Sequence, residues 1–203
     1  MKKLIVSLLS IVIVVLVAGA GFIYSGVFNV ASTNKDSALV SWLLATIRER
    51  SIESHSSNII VPSETELNKP ENISEGFEHY NEMCVVCHGA PGIEPGEARA
   101  GLNPQPPLLA KAKHLPDHPP GELFWVIKNG IKMTGMPAWG PTHSDDKIWG
   151  MVAFIRKLPT MSAAEYKAMQ QQLAGSDHGD DHNHSHNHEH GGHDDEHPHT
   201  HAQ

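Results

Sequence analysis

The stretch Cys84-Val85-Val86-Cys87-His88 decides how this sequence is interpreted, because it holds the only two cysteines of the chain. On a helical turn, residues three apart lie on the same side, so the two sulfurs face one direction. The pattern Cys-x-x-Cys-His is typical of covalent haem attachment, in which each thiol adds to a vinyl group and the adjacent imidazole binds the iron. We therefore expect Cys84 and Cys87 to carry a haem and His88 to be an axial ligand of its iron.

Two other uses of a cysteine pair fit the surrounding sequence less well. A thioredoxin-like redox pair needs a βαβ pattern around it, whereas the residues after His88 are rich in glycine and proline. A zinc site needs two further ligands, and there is no second cysteine pair to supply them. Zinc binding that recruits histidines near the carboxyl terminus stays open at this point, and haem attachment is the favoured interpretation.

Two methionines in one loop, Met133 and Met136, are candidates for the second axial ligand. A thioether favours ferrous iron and so raises the reduction potential. Gly135 lets the backbone approach a porphyrin closely and Pro137 stiffens the loop, so Met136 is the expected ligand and Met133 the reserve. Other histidines of the middle region are expected to be solvated or hydrogen-bonded rather than bound to iron: His79, His114, His118 and His143.

Residues around these candidate ligands resemble the class I c-type cytochromes, particularly the small bacterial members with a single haem. The resemblance covers about residues 73–158 and is carried by these motifs: Gly76-Phe77, Tyr80, Cys84 to His88, and Gly135 to Gly140. It implies an all-α fold with the first and last helices crossing near right angles around a haem crevice. It also implies that His88 and Met136 are the axial ligands, that the two cysteines form thioether bonds, and that a proline carbonyl orients the His88 imidazole.

Capping and breaking residues predict the helices of this region independently. The expected start signals, in chain order, are Asn72 with Glu75, Pro119 with Pro120, Ser144, and Ser162 with Glu165. The last helix, which is expected to reach Leu173, is an addition to the minimal fold. Gly76 is expected to permit a close helix crossing, with Trp149 packed against it.

The amino-terminal segment predicts a membrane anchor over residues 1–25. Lys2 and Lys3 precede an uncharged run, 4–23, that is long enough to cross a bilayer as a helix. A cleaved signal peptide is the alternative, since residues 18–20 form a small-x-small site, but the apolar run continues beyond it. The two lysines favour an amino terminus in the cytoplasm. We therefore expect a single-pass protein of the cytoplasmic (inner) membrane with its haem domain in the periplasm.

Residues 26–70 are predicted to form a connector with one short amphipathic helix. Ser37 can cap a helix that runs to Arg50, and Trp42 adds an amphipathic ring to it. One face of this helix is apolar and consists of Leu39, Leu43 and Ile47, with Val40 and Leu44 beside it. One apolar face does not identify what it contacts. The membrane surface, a partner protein and the chain's own cytochrome domain, expected over 71–175, all stay open.

The remaining residues, 176–203, form a histidine-rich tail that we expect to be disordered, because it contains almost nothing apolar. Alternating imidazoles with interleaved carboxylates suit Ni, Cu or Zn. The candidate ligands are His182, His184, His186, His188 and His190. Whether such binding serves a biological purpose is not indicated by the sequence.

Charge is distributed unevenly, with seven acidic residues and no lysine or arginine from residue 177 onward. The rest of the chain is nearly neutral, which gives no sign of nucleic-acid binding.

The predicted function is single-electron transfer, as a carrier or as a subunit of a respiratory complex, with redox proteins at the membrane as partners. No catalysis of its own and no small-molecule substrate are expected. A haem enzyme, such as a peroxidase or metal-ion reductase, and a metal-handling module are the alternatives.

Overall fold

Residues 2–176 are described by a computed structural model, and this part of the chain is helical. The α-helices are α1 (Lys2–Tyr24), α2 (Ala38–Ser56), α3 (Glu64–Leu67), α4 (Pro70–His79), α5 (Val85–His88), α6 (Pro120–Asn129), α7 (Asp145–Ile155) and α8 (Ala163–Ser176). Between residues 2 and 176 there is no β-strand, only an isolated bridge between Ala90 and Ile93. The all-α prediction is therefore confirmed.

Helix α1 has the length and composition of a membrane-spanning segment. Its 23 residues include a window with a mean hydropathy of 2.8, and none of its residues is buried against the rest of the protein. A signal sequence near an amino terminus would show the same properties, so the helix by itself does not separate a retained anchor from a cleaved one.

Helix α2 begins as predicted but extends beyond Arg50. The Ser37 hydroxyl accepts a hydrogen bond from the Val40 N–H, which confirms the amino-terminal cap. The helix continues to Ser56 because its last turns pack against α6, where the rings of His55 and Trp125 lie 5.7 Å apart. Tertiary contact therefore sets the carboxyl end of α2, which local sequence signals did not reveal.

The start predicted at Asn72 for helix α4 is wrong. The helix begins at Pro70, whose fixed φ suits the first helical position. Lys69 occupies the cap position without a side-chain hydrogen bond, and the Asn72 side chain instead donates to the Glu66 carbonyl at 2.7 Å. A π-helical turn, Tyr80–Cys84, joins α4 to α5, so helical backbone runs from Pro70 to the attachment motif.

Two glycines allow α4 to cross α7 at close range. A Cβ atom on Gly76 would overlap the carbonyl group of Gly150, so the backbones themselves are in contact. Gly150 and Met151 supply the atoms nearest to Gly76. Trp149 stacks on Phe124 at 4.2 Å between ring centroids, and its predicted contact with Gly76 stays a prediction.

An aromatic cluster fills the core beside this crossing. Phe77 packs edge-to-face on Phe154 and on Tyr166, with centroids 5.4 and 5.3 Å away. Tyr166 comes from α8, whose predicted capping box is confirmed: the Ser162 hydroxyl accepts from the Glu165 N–H, and the Glu165 carboxylate accepts from the Ser162 N–H. Helix α8 therefore contributes to the core, and it reaches Ser176, the last residue that the structure describes. The predicted tail with its candidate metal ligands lies outside the described residues.

Substituting Gly76 with valine should destabilise the haem-loaded protein by about 3 kcal/mol, because the added side chain would collide with backbone rather than with a movable side chain. Urea unfolding followed by circular dichroism measures this change. Gly175→Ala is the matched control, since a Cβ there meets open space and alanine favours the helix. Equal stability of the two variants would contradict the close crossing.

Candidate haem-attachment site

The two cysteines and His88 lie together at the end of the first continuous helical segment. Cys84 ends the π-helical turn, and Cys87 and His88 belong to α5. Both thiols are half-buried and neither forms a disulfide. Burial raises the pKa of Cys84 to about 12, and the neighbouring Cys87 adds to the effect. A thiol that stays protonated at neutral pH is unlike the low-pKa thiolate of a redox-active pair.

The π-helical turn changes the direction in which the attachment motif faces. An extra residue in one turn rotates everything that follows by roughly 100° about the helix axis. Across this turn, the fully buried Tyr80 donates a hydrogen bond of 2.6 Å to the Gly89 carbonyl. Burial raises the pKa of Tyr80 far above its usual value, so the phenol keeps its proton and remains a donor. Tyr80 thereby fixes the backbone directly after His88.

A proline carbonyl orients the His88 imidazole, as the family resemblance implied, and the structure identifies it as that of Pro107. The distance from Nδ1 to this oxygen is 2.9 Å, and because a carbonyl only accepts, Nδ1 carries the proton. The loop that supplies Pro107 is itself held by Arg99, whose Nε donates to the Pro106 carbonyl at 3.0 Å. Burial lowers the pKa of His88, which favours a neutral ring with a free lone pair on Nε2.

Met136 lies in a loop that folds back on the end of α6. The Met136 carbonyl accepts from the Ile131 N–H at 3.2 Å, and its N–H donates to the Thr134 hydroxyl at 3.1 Å. Its side chain is half-buried against the core, whereas Met133 is 92 % exposed. The two candidate methionines therefore have different surroundings, and only Met136 contacts the apolar interior.

The loop after α5 and the methionine loop meet at one point. A Cβ atom on Gly135 would come within 2.6 Å of the Leu102 side chain, so a glycine at this position lets the two loops approach each other. One loop carries Pro107, the partner of His88, and the other carries Met136. The fold thus brings together the two segments that the sequence interpretation assigned to opposite faces of a haem.

The remaining histidines behave differently from one another. His114 and His118 lie 3.3 and 3.4 Å from the carboxylates of Asp117 and Glu122, as expected for solvated side chains. The rings of His79 and His143 are 5.1 Å apart, and the buried Nε2 of His79 has no hydrogen-bond partner within residues 2–176. In that same part of the chain, no group of three or more His, Cys, Asp or Glu side chains is close enough to hold a metal ion.

Comparison with known families shows what this constellation is. Residues 71–155 match the family described as "Cytochrome C oxidase, cbb3-type, subunit III", a stretch that contains both cysteines, His88 and Met136. The matched segment is a c-type cytochrome domain. Such a domain implies a covalently bound haem c and haem-based electron transfer. A search of curated proteins with the whole chain found no match.

The residues present fit a haem of this type. The two thiols are unpaired, and the Nδ1 proton of His88 is already committed to Pro107, which leaves Nε2 for iron. The Met136 side chain is partly buried and packs against the core. Sequence reasoning missed the Tyr80–Gly89 bond, the π-helical turn and the Leu102–Gly135 contact. Only Tyr80 had a signal, since it falls on the apolar side of the predicted helix.

Replacing Tyr80 with phenylalanine should reduce the free energy of unfolding by about 1–2 kcal/mol, because the buried Gly89 carbonyl would lose its donor. Chemical denaturation of the haem-loaded protein at neutral pH measures this loss. Tyr166→Phe is the matched control: its hydroxyl donates to the Asn81 side-chain oxygen, which also accepts from Gln170. A loss in the control as large as that in Tyr80→Phe would contradict a specific role for the Tyr80 bond.

Proposed function

We propose that this chain transfers single electrons on the periplasmic side of the cytoplasmic membrane, as a carrier or as the cytochrome subunit of a respiratory complex. The observation that supports this most directly is the His88 imidazole, which is oriented by Pro107 beside two unpaired thiols within the matched cytochrome domain. No catalytic step of its own is proposed for the chain.

Four side chains would hold the cofactor. Cys84 and Cys87 would form the thioether bonds, His88 Nε2 would be one axial ligand, and the Met136 sulfur would be the other. When bound, haem c supplies a one-electron iron couple. The hydrogen bond to Pro107 keeps the imidazole in one orientation, burial favours its neutral form, and the half-buried thioether favours the reduced metal and a higher potential.

Two protein ligands distinguish electron transfer from the enzymatic alternatives. A peroxidase or a reductase that binds its substrate at the metal needs an open coordination position. With both His88 and Met136 as ligands, a small molecule has no position to enter. Electron exchange through the edge of the cofactor is the reaction that remains, and its partners are other redox proteins.

Four surface lysines are candidates for partner selection, and two of them are already paired: Lys111, Lys113, Lys128 and Lys132. Lys111 is paired with Glu94 at 3.3 Å and Lys128 with Asp145 at 2.6 Å. Lys113 and Lys132 are exposed and form no ion pair with any other residue between 2 and 176. These two unpaired charges favour an acidic surface on the partner.

The anchor proposal depends on α1. Its apolar surface is exposed on all sides, which is costly in water and favourable in a bilayer. Lys2 and Lys3 at its start favour a cytoplasmic amino terminus, which would leave everything after Tyr24 on the opposite side. A single retained span with its amino terminus in the cytoplasm would thus leave Cys84, Cys87 and His88 in the periplasm, where the haem would be attached.

Met136→Ala should lower the reduction potential and remove the absorption band that arises from sulfur–iron coordination, because the soft axial ligand is lost. Potentiometric titration and optical spectra of the oxidised protein measure both effects. Met133→Ala is the matched control from the same loop and should leave both unchanged. If the control loses the band and Met136→Ala keeps it, the assignment of the ligand is wrong.

Exchanging residues 1–25 for a signal peptide with a strong cleavage site should release the haem protein from the membrane into the periplasm, because α1 supplies the retained span. Haem staining of membrane and periplasmic fractions measures the distribution. The native chain is the control and should stay in the membrane after an alkaline wash. Recovery of the native chain in the soluble periplasmic fraction would show that its own segment is cleaved.

A further inference from the structure

The amino-terminal half of α2 is apolar and exposed. No charged residue occurs from Ala38 to Ile47, and the first charge of the helix is that of Arg48. Five large apolar side chains in this half are between 47 and 71 % exposed: Leu39, Trp42, Leu43, Leu44 and Ile47. A soluble protein rarely leaves a contiguous apolar patch of this kind open to water without a partner.

The exposed side chains point away from the cytochrome domain. At about 100° per residue, they cover an arc of roughly 200° on the helix surface. On the opposite side of α2, Ala45, Ile52 and Ser56 are buried or half-buried, and within the arc itself Val40 and Thr46 are half-buried. This side contacts α6, where a Cβ on Gly121 would lie 3.5 Å from the Ser56 carbonyl oxygen. The domain therefore covers one side of the helix and part of the arc, and the five large apolar side chains stay largely exposed.

The short linker between α1 and α2 indicates what covers the apolar side of α2. Helix α1 ends at Tyr24 and α2 begins at Ala38, so the linker has 37 − 24 = 13 residues. Even fully extended, it spans at most about 45 Å, which keeps α2 near the end of α1. The linker itself exposes further apolar side chains: Val27, Phe28 and Val30. Apolar surface thus extends from α1 through the linker onto α2.

The shape of the apolar surface favours lipid over a protein groove. A helix that docks on a protein usually presents an apolar stripe of about 100°, whereas here the arc is about twice as wide. A wide arc without charge suits the boundary between head groups and acyl chains, where an amphipathic tryptophan such as Trp42 is also favoured. Further along the helix, the same face carries the polar residues Arg50 and Ser54, so this end of the helix would stay in water.

We propose that the segment Ala38–Ile47 lies in the interfacial layer of the bilayer that α1 spans, with the cytochrome domain held on the opposite side of α2. The inference rests on the membrane anchor of the proposed function. Its consequence is that the domain is not free at the end of a flexible linker. It stays beside the membrane, where the effective concentration of membrane-bound redox partners is high.

Photolabelling from the lipid phase tests this position. The full-length, haem-loaded chain is reconstituted into vesicles of phosphatidylcholine and phosphatidylglycerol that contain a phosphatidylcholine with a photoactivatable acyl chain. After illumination, mass spectrometry of the peptides locates the attached lipid. We expect label on α1 and on the Ala38–Ile47 segment, and none on the last turns of α2.

A paired variant provides the matched comparison. Leu43→Glu combined with Ile47→Glu should reduce the label on residues 38–47 by about tenfold, because an unpaired carboxylate is strongly disfavoured in an apolar layer. Ser54→Glu, on the exposed polar end of the same helix, should leave that label unchanged. Optical spectra should be native-like in both variants, which shows that the cytochrome domain remains folded.

The outcomes separate this inference from the anchor on which it rests. Label on α1 without label on α2 would overturn the interfacial position and leave the anchor intact. A lack of label on α1 as well would overturn both. If residues 38–47 take up no lipid label and a bifunctional crosslinker added to the same vesicles joins the α2 helices of two chains, the proposal is overturned and a second copy covers the apolar side.

Discussion

The hydrogen bond from His88 to the carbonyl of Pro107 links the attachment motif to a loop 19 residues later in the chain, and the rest of the site depends on it. The bond holds the imidazole in one tautomer and leaves Nε2 as the only nitrogen that can bind a metal. The same loop reaches the methionine segment where Leu102 meets Gly135. The loop that holds His88 through Pro107 therefore also contacts the segment that carries Met136.

The helical framework explains why that contact can be kept. Gly76 and Gly150 allow the backbones of α4 and α7 to touch, which fixes the helix that leads into the cysteine motif. Beyond the crossing, Tyr80 connects the start of the π-helical turn to Gly89, directly after the attachment motif. The motif is thus held from the amino-terminal side by packing and from the carboxyl-terminal side by a buried hydrogen bond.

Local signals in the sequence predicted most of the fold. The wrong start at Asn72 passed over a local signal, Pro70, whereas the other differences depend on tertiary contacts. The caps at Ser37, Ser144 and Ser162 are confirmed because each is a short-range bond between neighbouring residues. The extension of α2 to Ser56 and the packing of Trp149 on Phe124 depend on distant segments, so no local pattern indicated them. At the site, the Cys-x-x-Cys-His motif was evident from five residues, whereas the choice of Pro107 required the folded loop.

Intact-protein mass spectrometry after haem maturation and full denaturation tests the central claim most directly. Covalent attachment through both sulfurs predicts a mass equal to that of the polypeptide plus one haem, and no reaction of Cys84 or Cys87 with an alkylating reagent. A polypeptide recovered without the haem mass, with both cysteines alkylated, would contradict the account.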